Sequence, residues 1–138
     1  EGPVEYYSDE ETNFENLLYF AEDSAATIIS GQDQGTVCVG LGNKTSDVVT
    51  ARLVVKGPES YDFNETLPET SDLELSSYQL NWGSDSQNKC VSVRTSETYD
   101  DKAYDKNEAY YFIEIIPEID GIIYRGNTFP IEVLDKYR

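Results

Sequence analysis

The stretch Thr36-Val37-Cys38-Val39-Gly40-Leu41 alternates strictly, so Val37, Val39 and Leu41 share one face and Cys38 lies on the other. Lys89-Cys90-Val91-Ser92-Val93 repeats the pattern, with Val91 and Val93 on the apolar face and Cys90 opposite. A period of two marks half-buried β-strands. Two outward cysteines can be bridged only if their strands are neighbours in one sheet and in register, because a disulfide needs Cα atoms about 4.4–6.8 Å apart. The spacing therefore predicts that the second and fifth strands pair directly, with Cys38 and Cys90 bonded on the solvent face. A bridge through the core would need inward parity instead. The competing reading is two reduced, unrelated cysteines; paired cysteines, however, mark secreted domains. Closing a loop of about 53 residues adds about 4 kcal/mol in the chain-entropy description.

Outward from this pair, short β-rich runs recur between clusters of Gly, Pro, Asn, Asp and Ser, and helix signals are nearly absent. The runs are Leu17 to Ala21 continued by Ala26 to Ile29, Thr36 to Leu41, Val48 to Lys56, Leu73 to Trp82, Lys89 to Thr95, Ala109 to Ile116 and Thr128 to Leu134. Gly42 to Asp47 and Gly83 to Asn88 are turn chemistry between them. The expectation is an all-β, seven-stranded, immunoglobulin-like antiparallel β-sandwich spanning residues 17–138. Residues 1–16 form an acidic N-terminal arm that is expected to be mobile, or to pack only through Val4, Tyr6 and Tyr7. Trp82 is expected in the core. Alternation sends Tyr110 and Phe112 to one face and Tyr111 to the other, which suits packing more than an exposed binding row.

The chain has 138 residues, enough for one core but not two. Hydrophobic residues make up 38% and aromatics 12%, too many for a disordered chain despite the charge. Twenty-seven acids against ten bases give a net charge of −17, which repels nucleic acid and anionic membranes. A basic partner surface, multivalent cations or simple solubility all remain compatible with it. No apolar run reaches the length of about eighteen residues that a membrane span needs, and any leader is expected to have been removed. The sequons Asn43-Lys44-Thr45 and Asn64-Glu65-Thr66 are candidate glycosylation acceptors, so N-glycans are expected. Cysteine pair and sequons together point to a secreted, extracellular protein.

Histidine is absent, which removes the commonest general base, the serine and cysteine triads and ordinary zinc sites. No phosphate-binding glycine loop is present. Paired carboxylates could still hydrolyse glycosides, but that chemistry needs a cleft. The chain is therefore expected not to be an enzyme. The remaining constellation is the segment from Ser96 to Glu108, where Asp100, Asp101, Asp105 and Glu108 could converge on Ca2+, which takes six to eight oxygen ligands. The plainer reading is a solvated acidic loop, because the spacing is not that of an EF-hand.

Four segments resemble, in order, those of Calx-β domains, the sandwich modules of sodium–calcium exchangers, integrin β4 and extracellular adhesion proteins. They are Gly35 to Val39, Lys89 to Val93, Asp100 to Phe112, and Phe129-Pro130-Ile131-Glu132-Val133-Leu134-Asp135. The resemblance covers about Tyr19 to Asp135 and rests most on the third segment: two Asp, an apolar pair, an acid, and an acid before an aromatic. It implies that Asp100, Asp101, Asp105, Glu108 and Asp135 supply Ca2+ ligands, with the backbone carbonyl of Ala103 joining them.

Departures from the family pattern weaken that site. Gln32 stands where an acid is expected, with Asp33 beside it; Ser60 stands in the position after the third strand, with Asp62 nearby; Lys136 and Tyr137 replace the rest of a terminal acidic triplet. Fewer anionic ligands imply weak Ca2+ affinity. The cysteines and sequons are most similar to those of the repeated modules of sponge-type aggregation and matrix proteins. The implied function is a non-catalytic adhesion or matrix module whose partners are other extracellular proteins or neighbouring modules of the same assembly. The alternative is an acidic structural or biomineral-associated protein that holds cations diffusely.

Overall fold

In the computed structural model, residues 4–5, 18–21, 24, 26–31, 34–41, 49–59, 67–83, 88–99, 108–119, 121–124 and 126–134 are described. They form eleven β-segments in two sheets. Sheet B is built from β2 (Leu18–Phe20), β4 (Gly35–Leu41), β8 (Lys89–Thr95) and β6 (Leu73–Leu75), side by side in that order and antiparallel. Sheet A is centred on β9 (Glu108–Ile119). On one flank of β9 lie β5 (Val49–Lys56) and then β7 (Gln79–Trp82). The other flank is shared by β10 (Ile122–Ile123) and β11 (Asn127–Leu134). Outside these, β1 (Val4–Glu5) runs parallel to β10, and β3 (Thr27–Ile29) runs parallel to β11.

The apolar parity read from the sequence fills the space between the sheets. Val37, Val39 and Leu41 of β4, with Val91 and Val93 of β8, face Ala51, Leu53 and Val55 of β5 and Tyr111, Ile113 and Ile115 of β9. Trp82 is fully buried. Tyr111 points inward while Tyr110 is 40% exposed, as alternation along β9 requires.

The strand count rises from seven to eleven because two runs change sheets and are divided, and because Val4–Glu5, expected in the N-terminal arm, and Ile122–Ile123 add the short strands β1 and β10. Leu73 to Trp82, expected as one strand, leaves sheet B after Leu75 and joins sheet A at Gln79. Leu17 to Ile29 divides likewise between β2 in sheet B and β3 in sheet A. The two crossings sit on opposite lateral edges and join the sheets there by continuous chain. Hydrophobic pattern alone could not show this, since both halves of each run put apolar side chains into the same core.

Strand β9 also runs on to Ile119, through Pro117. Tyr124 donates its N–H to the Pro117 carbonyl at 2.9 Å, so the proline nitrogen faces the same flank. That flank is where the ladder is interrupted between β10 and β11, and the missing donor is not needed. Gly126 makes the interruption possible, because a Cβ there would overlap the Ile115 carbonyl.

Cys38 and Cys90 form a disulfide and sit directly opposite each other across β4 and β8, with Cα atoms 4.0 Å apart, closer than the expected range because a directly opposed pair without ladder bonds between its members is the narrow one in an antiparallel sheet. The pairing and the outward face are those expected. The two cysteines nonetheless differ in exposure: Cys38 is 8% exposed and Cys90 is exposed.

Candidate functional site

Strands β3, β5, β8 and β11 finish, and β4, β6 and β9 begin, at one end of the sandwich. Main-chain bonds tie these strand ends together. Ser30 N–H donates to Leu134 C=O at 2.9 Å, joining the exits of β3 and β11. Gly31 N–H donates to Thr95 Oγ1 at 2.9 Å, joining sheet A to the exit of β8. Ser96 N–H donates to Asp72 C=O at 2.8 Å, and Glu59 N–H to Tyr110 C=O at 2.8 Å, which brings in the entry to β6 and the exit of β5.

The polar centre of this end is a pair absent from the sequence reading. Tyr111 is fully buried, and its hydroxyl donates to Asp72 Oδ2 at 2.7 Å. Burying a phenol is costly unless its O–H finds an acceptor, and Asp72 supplies one. Asp72 is held from behind: its own N–H donates to Thr70 Oγ1 at 3.1 Å. The Tyr99 ring lies 6.3 Å from that of Tyr111, tilted by 57°. Thr70-Ser71-Asp72 before Leu73-Glu74-Leu75 is legible as a turn into a strand, but nothing in it names the tyrosine 39 residues on.

Of the residues expected to hold Ca2+, Asp100, Asp101, Ala103, Asp105 and Asp135 lie outside the described residues, as do Gln32, Asp33, Ser60, Asp62, Lys136 and Tyr137. Glu108 opens β9 through its backbone, opposite Leu134 of β11. Among the described residues that flank these segments, Gly31, Glu59, Tyr99, Glu108 and Leu134 stand at this same end. Among the described residues, no group of three or more carboxylates or cysteines is placed to hold a metal ion. The donor set, all carboxylate and carbonyl oxygen, suits a hard cation and offers nothing to a soft one. The candidate acceptors Asn43 and Asn64 also lie outside the described residues.

No protein-family model matches the chain, and no curated sequence does. Solved structures do. The chaperone–tip adhesion subunit complex of the archaic Csu pili of Acinetobacter baumannii (CsuC–CsuE) matches with a TM-score of 0.62 at 11% identity, over 86% of this chain and 52% of that one. CBD12 of CALX1.2 matches with a TM-score of 0.54 at 12% identity, over 86% of this chain and 43% of that one. The E. coli chaperone DraB matches with a TM-score of 0.52 at 10% identity, over 94% and 55%. The fold is an immunoglobulin-like sandwich. It is similar both to Calx domains and to pilus chaperone domains, and at these identities the likeness extends to the fold alone. The chain spans about half the length of each of these three structures. The disulfide suits an oxidising, extracytoplasmic compartment.

Proposed function

We propose that the chain is a non-catalytic, extracellular association module of adhesion or matrix type, with weak Ca2+ binding at the Asp72 end. The observation that carries the reading is the convergence there of the strand ends flanking residues 32–33, 60–66, 100–107 and 135–138. These segments hold Asp33, Asp62, Asp100, Asp101, Asp105 and Asp135. A cation binding among them would tie loops from both sheets together and stiffen the junction with whatever lies beyond. Likeness in fold to CBD12 of CALX1.2 is in keeping with the Calx-β resemblance from which the ligand set is drawn. The Cys38–Cys90 disulfide supports an extracytoplasmic setting, and the lack of histidine supports a binding rather than a chemical role.

Association would be with other extracellular proteins or with neighbouring modules. The net charge of −17 favours a partner with a basic surface, and loop-bound Ca2+ would lower the repulsion between like modules. Calorimetric titration with Ca2+ tests the reading. Saturable heat at a small number of sites, lost in Asp100→Ala, is the expected result. Weak, unsaturable uptake unchanged by that substitution would overturn the Ca2+ site and leave diffuse cation holding by an acidic structural protein.

A further inference from the structure

The two sulfurs of the Cys38–Cys90 bridge are not equivalent. Cys38 is 8% exposed because the chain leaving β2 passes beside it. Ala21 N–H donates to the Cys38 carbonyl at 2.8 Å, and Ser24 Oγ accepts from the Cys38 N–H at 2.9 Å while donating to its carbonyl at 3.3 Å. Next along β4, the Tyr19 ring lies over Gly40, where a Cβ would collide with it.

Around Cys90 the surroundings are open. On the flank of β8 away from β4, pairing with β6 ends at Leu75 opposite Val93, and two further bonds join Ser76 to Ser92: Ser76 N–H donates to Ser92 C=O at 3.0 Å, and Ser92 N–H donates to Ser76 Oγ at 2.9 Å. Among the described residues the ladder stops there, two residues short of Cys90, which is itself exposed. A thiolate must attack a disulfide sulfur in line with the S–S bond, from the side opposite the leaving sulfur. For Cys90 that line approaches over the open flank of β8. For Cys38 it approaches over Ala21 and Ser24.

The bridge is also separable from the core. Cys38 and Cys90 are on the outer face, whereas Val37, Val39, Val91 and Val93 pack beneath them against sheet A. The N–H and C=O of Cys38 point to the β2 side, so no ladder bond of β4 with β8 is made at the bridged pair itself.

We infer that the Cys38–Cys90 bridge is a thiol-exchange site on the folded protein, opened regioselectively by a small uncharged or zwitterionic thiol at Cys90 Sγ. The attacking thiolate forms a mixed disulfide with Cys90, the Cys38–Cys90 bond breaks, and Cys38 leaves as a thiolate that takes a proton from water. A second thiol attacking the adduct releases the small disulfide and leaves Cys90 reduced, with two electrons supplied by two thiols overall. Free cysteine fits the site better than an anionic thiol, given the net charge of −17. The domain thereby carries a covalent handle on the outer face of sheet B that can be opened without opening the sandwich.

The test incubates the intact 138-residue chain with free L-cysteine under native conditions, traps thiols with a fast alkylating reagent and locates the first adduct by peptide mass spectrometry. Cysteinyl on Cys90 with alkylated Cys38, while the emission of the buried Trp82 stays unshifted, is the expected result. A first adduct on Cys38, or exchange only once Trp82 emission shifts to the red, overturns the inference. Single variants give a second readout. The thiol left in Cys38→Ser should react with an aromatic disulfide reagent at least about tenfold faster than the thiol left in Cys90→Ser, by access alone. Equal rates in folded variants also overturn it; should either variant not fold, the experiment on the unaltered chain decides.

Discussion

At Tyr111 a side-chain hydroxyl links the two sheets at the end where β3, β5, β8 and β11 finish, since β9 belongs to sheet A and Asp72 leads into β6 of sheet B. Removing that oxygen deletes a hydrogen bond to a carboxylate, and hydrogen bonds to charged groups contribute about 1.5–3 kcal/mol. Tyr111→Phe is expected to lower the urea midpoint accordingly, with the slope of the transition unchanged. Gly57 has a φ of +134°, a conformation that side chains rarely adopt, and a Cβ there would approach Tyr111 Cδ2 to 2.9 Å. Gly57→Ala is therefore expected to destabilise by at least as much as Tyr111→Phe in the same measurement. Ser24 plays a quieter part: its hydroxyl accepts from the Cys38 N–H where β2 turns away, and it also donates to the Cys38 carbonyl that Ala21 N–H already meets.

Among the elements, the exposed edges are closed by side chains rather than by further strands. In β7 the groups of Gln79 that face away from β5 are taken by Ser77, which accepts from Gln79 N–H at 3.3 Å and donates to its carbonyl at 2.8 Å. In β6 the outward N–H of Leu75 is taken by the Tyr78 hydroxyl at 3.2 Å. On β2 the Leu18 carbonyl receives the Asn127 amide at 3.2 Å, beside the Phe20 and Phe129 rings at 4.9 Å. Unpaired edges invite pairing with a second copy, and short strands with occupied edge groups discourage it. Ser77→Ala combined with Tyr78→Phe is expected to raise self-association, read by sedimentation velocity as a concentration-dependent species absent from the unaltered chain.

These edge devices were not legible in the sequence. Ser76-Ser77-Tyr78 reads as an interruption in a strand, and only the change of sheet gives each hydroxyl its target. Parity, by contrast, was legible wherever one face is buried, because a slip of one residue would turn Val37, Val39 and Leu41 outward. That is why the partner of Cys38 could be read from two short runs. The Asp72–Tyr111 contact could not, since nothing local to either residue encodes a contact made by folding.

For the whole molecule, two of the described bases pair with acids. Lys56 Nζ is 2.9 Å from Glu114, and Arg94 is 3.2 Å from Glu74 on the outer face of sheet B. Such exposed pairs contribute little each, so a net charge of −17 acts mainly as self-repulsion within the folded state. Raising NaCl from about 10 mM to about 0.5 M shortens the screening length severalfold and is expected to raise Tm. Ca2+ at matched ionic strength should raise it further if the loop-end site is specific. A calorimetric scan separates the two effects.

The parallel pairing of β3 with β11 has a mechanical consequence. Thr27, Ile28 and Ile29 lie opposite Glu132, Val133 and Leu134, and the two strands run in the same direction. Tension applied through the chain on the N-terminal side of β3 and the C-terminal side of β11 pulls the pair lengthwise past each other. Their inter-strand bonds then share the load and must rupture together, whereas an antiparallel hairpin pulled from its open end unzips one bond at a time. A sandwich fastened this way resists stretching along its long axis far more than peeling. Single-molecule extension from both flanks should therefore show one high-force rupture, preceded at most by the release of β1 and β2, and reversing the pulling geometry to peel β11 from β9 should lower that force.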